Sequence, residues 1–188
     1  MTSLPPFPRL TGSAEVSVRP ARPGDAPAIA RVQATTWRTA YRDVLPADVL
    51  DSWDDDAVAA SWHSAITAPP TPAHLVLVAV EGADVVGFAA VAPAAGAAEA
   101  EMGPLLVEPR WGRRGHGSRL LAAVTDLVAT DGRTTLHAWL LESDRASAAF
   151  LESAGWAEDG WARTLETGAE PLRELRWSTR LDDEATDR

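Results

Sequence analysis

The stretch from Ala100 to Leu121, "AEMGPLLVEPRWGRRGHGSRLL", sets the tightest limit on how this chain can fold. A strand-like apolar run ends at Val107, Gly112, Gly115 and Gly117 follow, and an apolar stripe of helical period starts at Leu120. Leu120, Leu121, Val124, Leu127 and Val128 occupy the i, i+1, i+4, i+7 and i+8 positions of one helix face, with Gly132 as a stop. A second strand-like run, "TTLHAWLL" (134–141), comes next. Strand, helix and strand in that order predict a right-handed βαβ unit whose two strands run parallel.

The remaining segments assemble around that unit. "EVSVRPA", from Glu15, alternates apolar and polar residues as a first strand closed by Pro20. A helix follows Gly24, with Asp25 at its N-cap; Ile29, Val32, Thr36 and Ala40 share a stripe, and Trp37 meets Tyr41 at i, i+4. Pro46 interrupts, residues 47–67 read as further helix carrying Trp53 and Trp62, and "APPTPAH" (68–74) is a linker. "LVLVAV" (75–80) and "DVVGFAAVA" (84–92) form a hairpin pattern. After the βαβ unit come a short helix, "DRASAAFLESAG", ending at Gly155, and two more strands, "GWARTLE" and "PLRELRWSTRL". The expected fold class is mixed α/β (α+β), with helices on one or both faces of a partly antiparallel central sheet. One domain spans 15–181, between a loose arm (1–14) and a charged tail (182–188).

Composition removes several functions. A net charge of −10 argues against nucleic acid, which needs a basic face. Arg110, Arg113, Arg114 and Arg119 nevertheless cluster around the glycines, enough for one local anion site. The chain has no Cys, Lys or Asn, so thiolate and Schiff-base nucleophiles and the Walker lysine are excluded. Its four histidines show no metal-ligand spacing, and no metal is expected. No run of about 18 apolar residues appears and "MTSLPPFPRL" is not a secretory leader, so the expectation is a cytoplasmic protein without membrane contact.

Glycines permit positive φ and leave no Cβ to block a ligand, so successive N–H groups can converge on an anion. The first amides of the following helix are unpaired and carry the positive end of its dipole, which suits phosphate. Arg113 and Arg114 add charge and Ser118 a hydroxyl. The plain alternative is a tight strand-to-helix connection with solvated arginines. Two phosphate motifs fail on their letters: the dinucleotide fingerprint meets Leu120 where it wants a third glycine, and the phosphate-loop fingerprint lacks its lysine.

A third pattern matches. "LLVEPRWGRRGHGSRLL" resembles the coenzyme A loop of the GNAT superfamily of acyl-CoA N-acyltransferases, Gln/Arg-x-x-Gly-x-Gly/Ala after a strand ending in Val-x-Pro. Val107, Pro109, Gly115 and Gly117 match, and Gly112 stands where Gln or Arg is usual. "DRASAAFLESAGW" resembles the second signature of that family: Phe150, Glu152, Gly155 and Trp156 keep the spacing, Asp144 replaces Asn and Leu151 replaces Tyr. "TTWRTAYRDVLP" looks like a segment common in bacterial members, and the element order is similar over nearly the whole chain.

The resemblance implies acetyl-CoA held as co-substrate, without a metal, in a V-shaped gap between two splayed parallel strands, here "AEMGPLLV" and "TTLHAWLL". Gly103-Pro104 offers a local reason for the splay, since proline cannot donate a ladder bond and glycine favours a bulge. By resemblance, Leu105, Leu106 and Val107 bond the pantetheine arm, Gly112, Arg113, Arg114, Gly115, His116, Gly117 and Ser118 cradle the pyrophosphate, and Asp144 and Phe150 join the cofactor site. The implied chemistry is direct attack by an amine of a small molecule or peptide, with an amide near the bulge stabilising developing negative charge. Glu101, with Glu99 second, is the candidate base that takes the amine's proton. Trp37 and Tyr41 are candidate acceptor-side residues, and Trp53 and Trp62 lie on the same segment. His116 reads as a spacer whose amide matters, and His63 and His137 as ordinary, partly buried residues. The usual thiolate-protonating tyrosine is replaced by Leu151, so no general acid is assigned. That gap keeps open a catalytically weak acyl-CoA-binding sensor or partner-docking module of the same fold. Homodimerisation, common in the family, cannot be read from the letters.

Overall fold

The computed structural model describes residues 16–40, 42, 53–166 and 171–181. The arm 1–14, Glu15, Tyr41, residues 47–52 of the second helical pattern and the tail 182–188 lie outside the described residues. In chain order the elements are β1 (Val16–Pro20), α1 (Ala26–Ala40), α2 (Asp55–Thr67), β2 (Leu75–Glu81), β3 (Asp84–Pro93), β4 (Glu99–Val107), α3 (His116–Thr130), β5 (Thr135–Leu141), α4 (Arg145–Ser153), β6 (Ala157–Leu165) and β7 (Leu172–Arg180). They build one seven-stranded sheet in the order β1-β2-β3-β4-β5-β7-β6. Every neighbouring pair is antiparallel except β4–β5, the parallel pair of the βαβ unit.

The sheet is buried on both faces at its centre, which is why β2 and β3 read as nearly unbroken apolar runs rather than alternating ones. On one face Leu77, Val86, Ala89, Ala100 and Met102 pack against Leu120, Leu121, Val124 and Val128 of α3 and Leu151 of α4. On the other, Val78, Val85 and Phe88 meet Ile29 and Val32 of α1, with Trp62 and Ile66 of α2 alongside. Each fully buried Leu, Val or Ile of this kind stabilises by about 1.5–3 kcal/mol. Leu127, on the stripe by spacing, is 38% exposed, and Ala40 is exposed where α1 runs past the sheet.

Asp25 does not cap α1 as the sequence suggested. It sits in a short 3-10 turn (Pro23–Asp25), where its carboxylate takes Arg19 on both oxygens (2.6 and 2.9 Å) and the Arg22 amide at 2.6 Å. The hydrogen bonds from Arg19 hold the Asp25 carboxyl below the usual carboxylate range. Its stabilisation is therefore complete above the ordinary aspartate pKa of about 3.9 and is lost as pH falls through the lowered folded value. Denaturant titrations of Asp25→Asn should show reduced stability at neutral pH and convergence with the parent chain in acid.

Gly87 sets the distance between β3 and β4. A Cβ there would stand 2.8 Å from the Leu106 carbonyl oxygen and 3.0 Å from a Val107 methyl, and neither can give without moving β4. Gly87→Ala is expected to cost about 1–3 kcal/mol by overpacking, read as a fall in denaturant midpoint. The strand so held is the one that carries the site.

Candidate active site

The parallel pair parts in mid-strand. Glu99, Ala100, Glu101 and Met102 pair with Thr135, Leu136, His137 and Ala138, and there β4–β5 pairing stops, although β4 continues to Val107 and β5 to Leu141. The cause lies on the other edge of β4. Ala89 pairs with Leu105 and Val91 with Met102, so Gly103 and Pro104 together face the single residue Ala90. This is a β-bulge at the glycine–proline pair, and it bends the strand away from β5. Beyond it, Leu105 to Val107 keep β3 on one edge and turn the other to an open cleft. The cleft, a cavity of about 420 Å³, is lined by Leu105, Leu106, Trp139, Leu140 and Ser147 and closed at its base by Glu101 and Met102.

The cleft leads to the glycine turn. A second cavity of about 430 Å³ shares Leu105 and Ser147 with it and runs past Val107 and Phe150 to Gly112, Arg113, Gly115, His116, Gly117 and Ser118. Among the described residues no protein acceptor takes any of the consecutive amides from Arg113 to Ser118; the first bond of the helix is from Arg119 N–H to the Gly115 carbonyl. The glycines divide the work. Gly115 adopts a left-handed φ of 80° at the N-cap, where no side chain caps the helix. Gly117 is helical, and what it contributes is an absent Cβ, which would point at Phe150 (3.5 Å) and Leu105 (3.9 Å) across the groove. Arg113 also holds a left-handed φ, 64°, uncommon outside glycine and worth about 1–3 kcal/mol of strain. A run of unpartnered amides, exposed arginines and a missing Cβ fits a diphosphate-bearing carrier.

His116 is more than a spacer. It is buried at the first turn of α3, its Nε2 lies 2.7 Å from a Glu81 oxygen, and Trp111 stands edge-on to it. Arg114 bonds the other Glu81 oxygen at 3.1 Å and lies over the Trp111 ring. Turn and β2 are thereby tied together. Glu108, also buried, anchors the strand exit to α1 by accepting from Arg31 at 2.6 Å. Asp144 caps α4, accepting from the Ser147 amide (3.0 Å) and hydroxyl (2.8 Å), and its carboxylate borders the cleft.

Glu101 and Glu99 project from β4 on the α1–α2 face, where the pairing ends. His137, their neighbour on β5, places Nε2 3.2 Å from a Glu101 oxygen and Nδ1 4.0 Å from a Glu99 oxygen. A carboxylate only accepts, so Nε2 carries the hydrogen and holds Glu101 at the base of the cleft. His137 is directly opposite Glu101 in register. Motif spacing misses it, because register across a helical crossover is set by tertiary packing. Trp37 lines the cleft and packs against Trp53 with the rings tilted and their centroids 5.0 Å apart, so Trp53 backs the wall rather than forming it. Trp62 also lines it, donating to Gln33 at 2.7 Å and meeting Phe88 edge-on. On the far side Arg163 lies 4.4 Å over Trp139. Leu151 is buried in the core and offers the cleft no proton.

A mixed sheet parted at its centre, with free amides at the head of the gap, is the architecture of an acyl-coenzyme-dependent transferase. Residues 34–156 match the model of the Acetyltransferase (GNAT) family, and the chain belongs to that family. It is 30% identical, over 69% of its length and 73% of the relative's, to Uncharacterized N-acetyltransferase YuaI of Bacillus subtilis (strain 168). In fold it is similar to the PaiA N-acetyltransferase of Thermoplasma acidophilum in complex with coenzyme A, with a TM-score of 0.73 at 14% identity, covering 88% of this chain and 98% of that one. It is likewise similar to YncA of Salmonella typhimurium, a putative acetyltransferase with its cofactor acetyl-CoA. There the TM-score is 0.66 at 18% identity, over 93% of this chain and 99% of that one. No helix among the described residues is long and apolar enough to cross a membrane.

Proposed function

We infer that this protein transfers an acetyl group from acetyl-CoA to a primary amine of a small molecule or peptide by direct attack. The observation that carries the reading is the continuous groove from the unpartnered amides of Arg113–Ser118, along the open edge of Leu105–Val107, to Glu101 at the end of strand pairing. The co-substrate supplies an activated thioester. Backbone amides of the turn bind its diphosphate, aided by Arg113, and the free edge of β4 aligns the pantetheine arm as an added strand would. On this reading a main-chain amide next to the bulge stabilises the negative charge that develops on the reacting carbonyl oxygen. Glu101, oriented by His137, removes a proton from the ammonium, directly or through water, so that the neutral amine can attack. Leu151 leaves no acid at its position, and none is required: a thiol of pKa about 8.5 departs readily as the thiolate, and the second proton, shed from nitrogen as the amide forms, passes to that thiolate through water.

The test is to incubate the protein with acetyl-CoA and a panel of amines and to follow free thiol. Amine-dependent release is expected. Tight coenzyme binding without amine-dependent release would instead identify a sensor that keeps the cradle and lacks the chemistry.

A further inference from the structure

A third cavity opens from Glu101, on the side away from the coenzyme groove. It has a volume of about 320 Å³ and shares Trp62, Glu101 and Gly103 with the cleft. Trp62, Ala65 and Pro70 form one wall, and Ala90, Ala92 and Pro93 of β3 form the floor. Ala92 is the register partner of Glu101, and Ala90 faces the bulge at Gly103, so the floor begins directly beside the carboxylate. Ala90 and Ala92 carry only a methyl group, and that is what makes the space. Among the described lining residues, the ionisable groups are Glu101 and His74, and the His74 Nδ1 is already engaged by the Thr71 hydroxyl at 2.9 Å.

We propose that this cavity receives the body of the acceptor, and that the acceptor is a primary monoamine with an uncharged, apolar substituent, alkyl or arylalkyl. The inference rests on the acetyltransferase reading above and names the substrate class for it. An ammonium group placed at Glu101 lies at the junction of the two cavities, with the thioester on one side and its own substituent over Ala92 and Ala90 on the other. A polyamine entering the same space would bury a second cation among lining residues whose one carboxylate, Glu101, is already taken by the first, at a large desolvation cost. A peptide N-terminus would bury amide groups against Ala, Pro, Leu and Val side chains that cannot bond them. An apolar body loses nothing there and gains from leaving water. At roughly 30 Å³ per water-sized group, the volume takes about ten such groups, the scale of a hexylamine or phenethylamine side chain.

The experiment measures kcat/KM of the full chain at saturating acetyl-CoA, by thiol release, for ethylamine, butylamine, hexylamine, phenethylamine, spermidine and alaninamide. The value should rise about fourfold per buried methylene, about 250-fold over the four methylenes from ethylamine to hexylamine, with spermidine and alaninamide well below hexylamine. Ala92→Leu should fill the floor and collapse the hexylamine-to-ethylamine ratio at least tenfold. Ala65→Leu, from the opposite wall, should do the same, so that a folding defect in one variant leaves the other to decide. A flat or falling series, a preference for spermidine or alaninamide, or an unchanged ratio in both variants overturns the proposal while leaving the acetyltransferase reading intact. Absence of thiol release from every amine, with coenzyme bound, removes both.

Discussion

Gly117→Val is expected to weaken coenzyme A binding at least a hundredfold while the protein stays folded. Gly117 lies in the first turn of α3 with helical backbone, so a valine there costs the helix less than about 1 kcal/mol. Its Cβ would already touch Phe150 and Leu105, and its two methyl groups would project into the groove that joins the turn to the open edge of β4. The carrier would lose contact with the amides of Arg113–Ser118 together, since these converge on one locus. A fall in affinity of a hundredfold or more, roughly 2.7 kcal/mol, is expected by calorimetry, with an unchanged circular dichroism spectrum. Gly115→Val would confound the measurement, because it strains a left-handed residue and presses on Arg119 at 3.0 Å. Unchanged affinity in Gly117→Val would mean that the diphosphate lies elsewhere.

Glu101→Gln is the second large effect. The amide keeps the shape of the side chain but cannot take a proton, so kcat should fall about 10²- to 10⁴-fold. Coenzyme affinity should hold, because Glu101 closes the base of the cleft and does not reach the turn. Glu99→Gln should have a much smaller effect: Glu99 lies farther from the splay and stands 4.0 Å from His137. The reverse order of effects would move the base from Glu101 to Glu99.

Sequence reading carried the parts of this site that are encoded locally. Gly103-Pro104 announces a bulge because proline lacks a donor and glycine tolerates the bend, and the register slips at those residues. The turn from Gly112 to Ser118 is legible for the same reason, each residue acting through its own backbone. The parts made by long-range register were not. His137 meets Glu101 only because β4 and β5 pair with one particular offset. Arg163 and Trp139 come together through β7, which lies between their strands. The apolar cavity depends on how α2 settles over β3, and no spacing in the letters reports that. Asp25 shows the opposite failure: a residue with strong local preference as a helix cap was drawn away by Arg19, a strand residue whose two N–H groups outbid the helix amides.

The central claim is that one continuous groove binds the carrier by backbone, from the amides of the turn to the unpaired edge of β4. Backbone amide chemical shifts of the ¹⁵N-labelled protein, followed during titration with coenzyme A, test it most directly. Large, saturable shifts at Arg113–Ser118 and at Leu105–Val107, with little change on the edge strand β1, are the predicted result. Saturable binding whose shifts fall elsewhere, leaving those two segments unmoved, would contradict it.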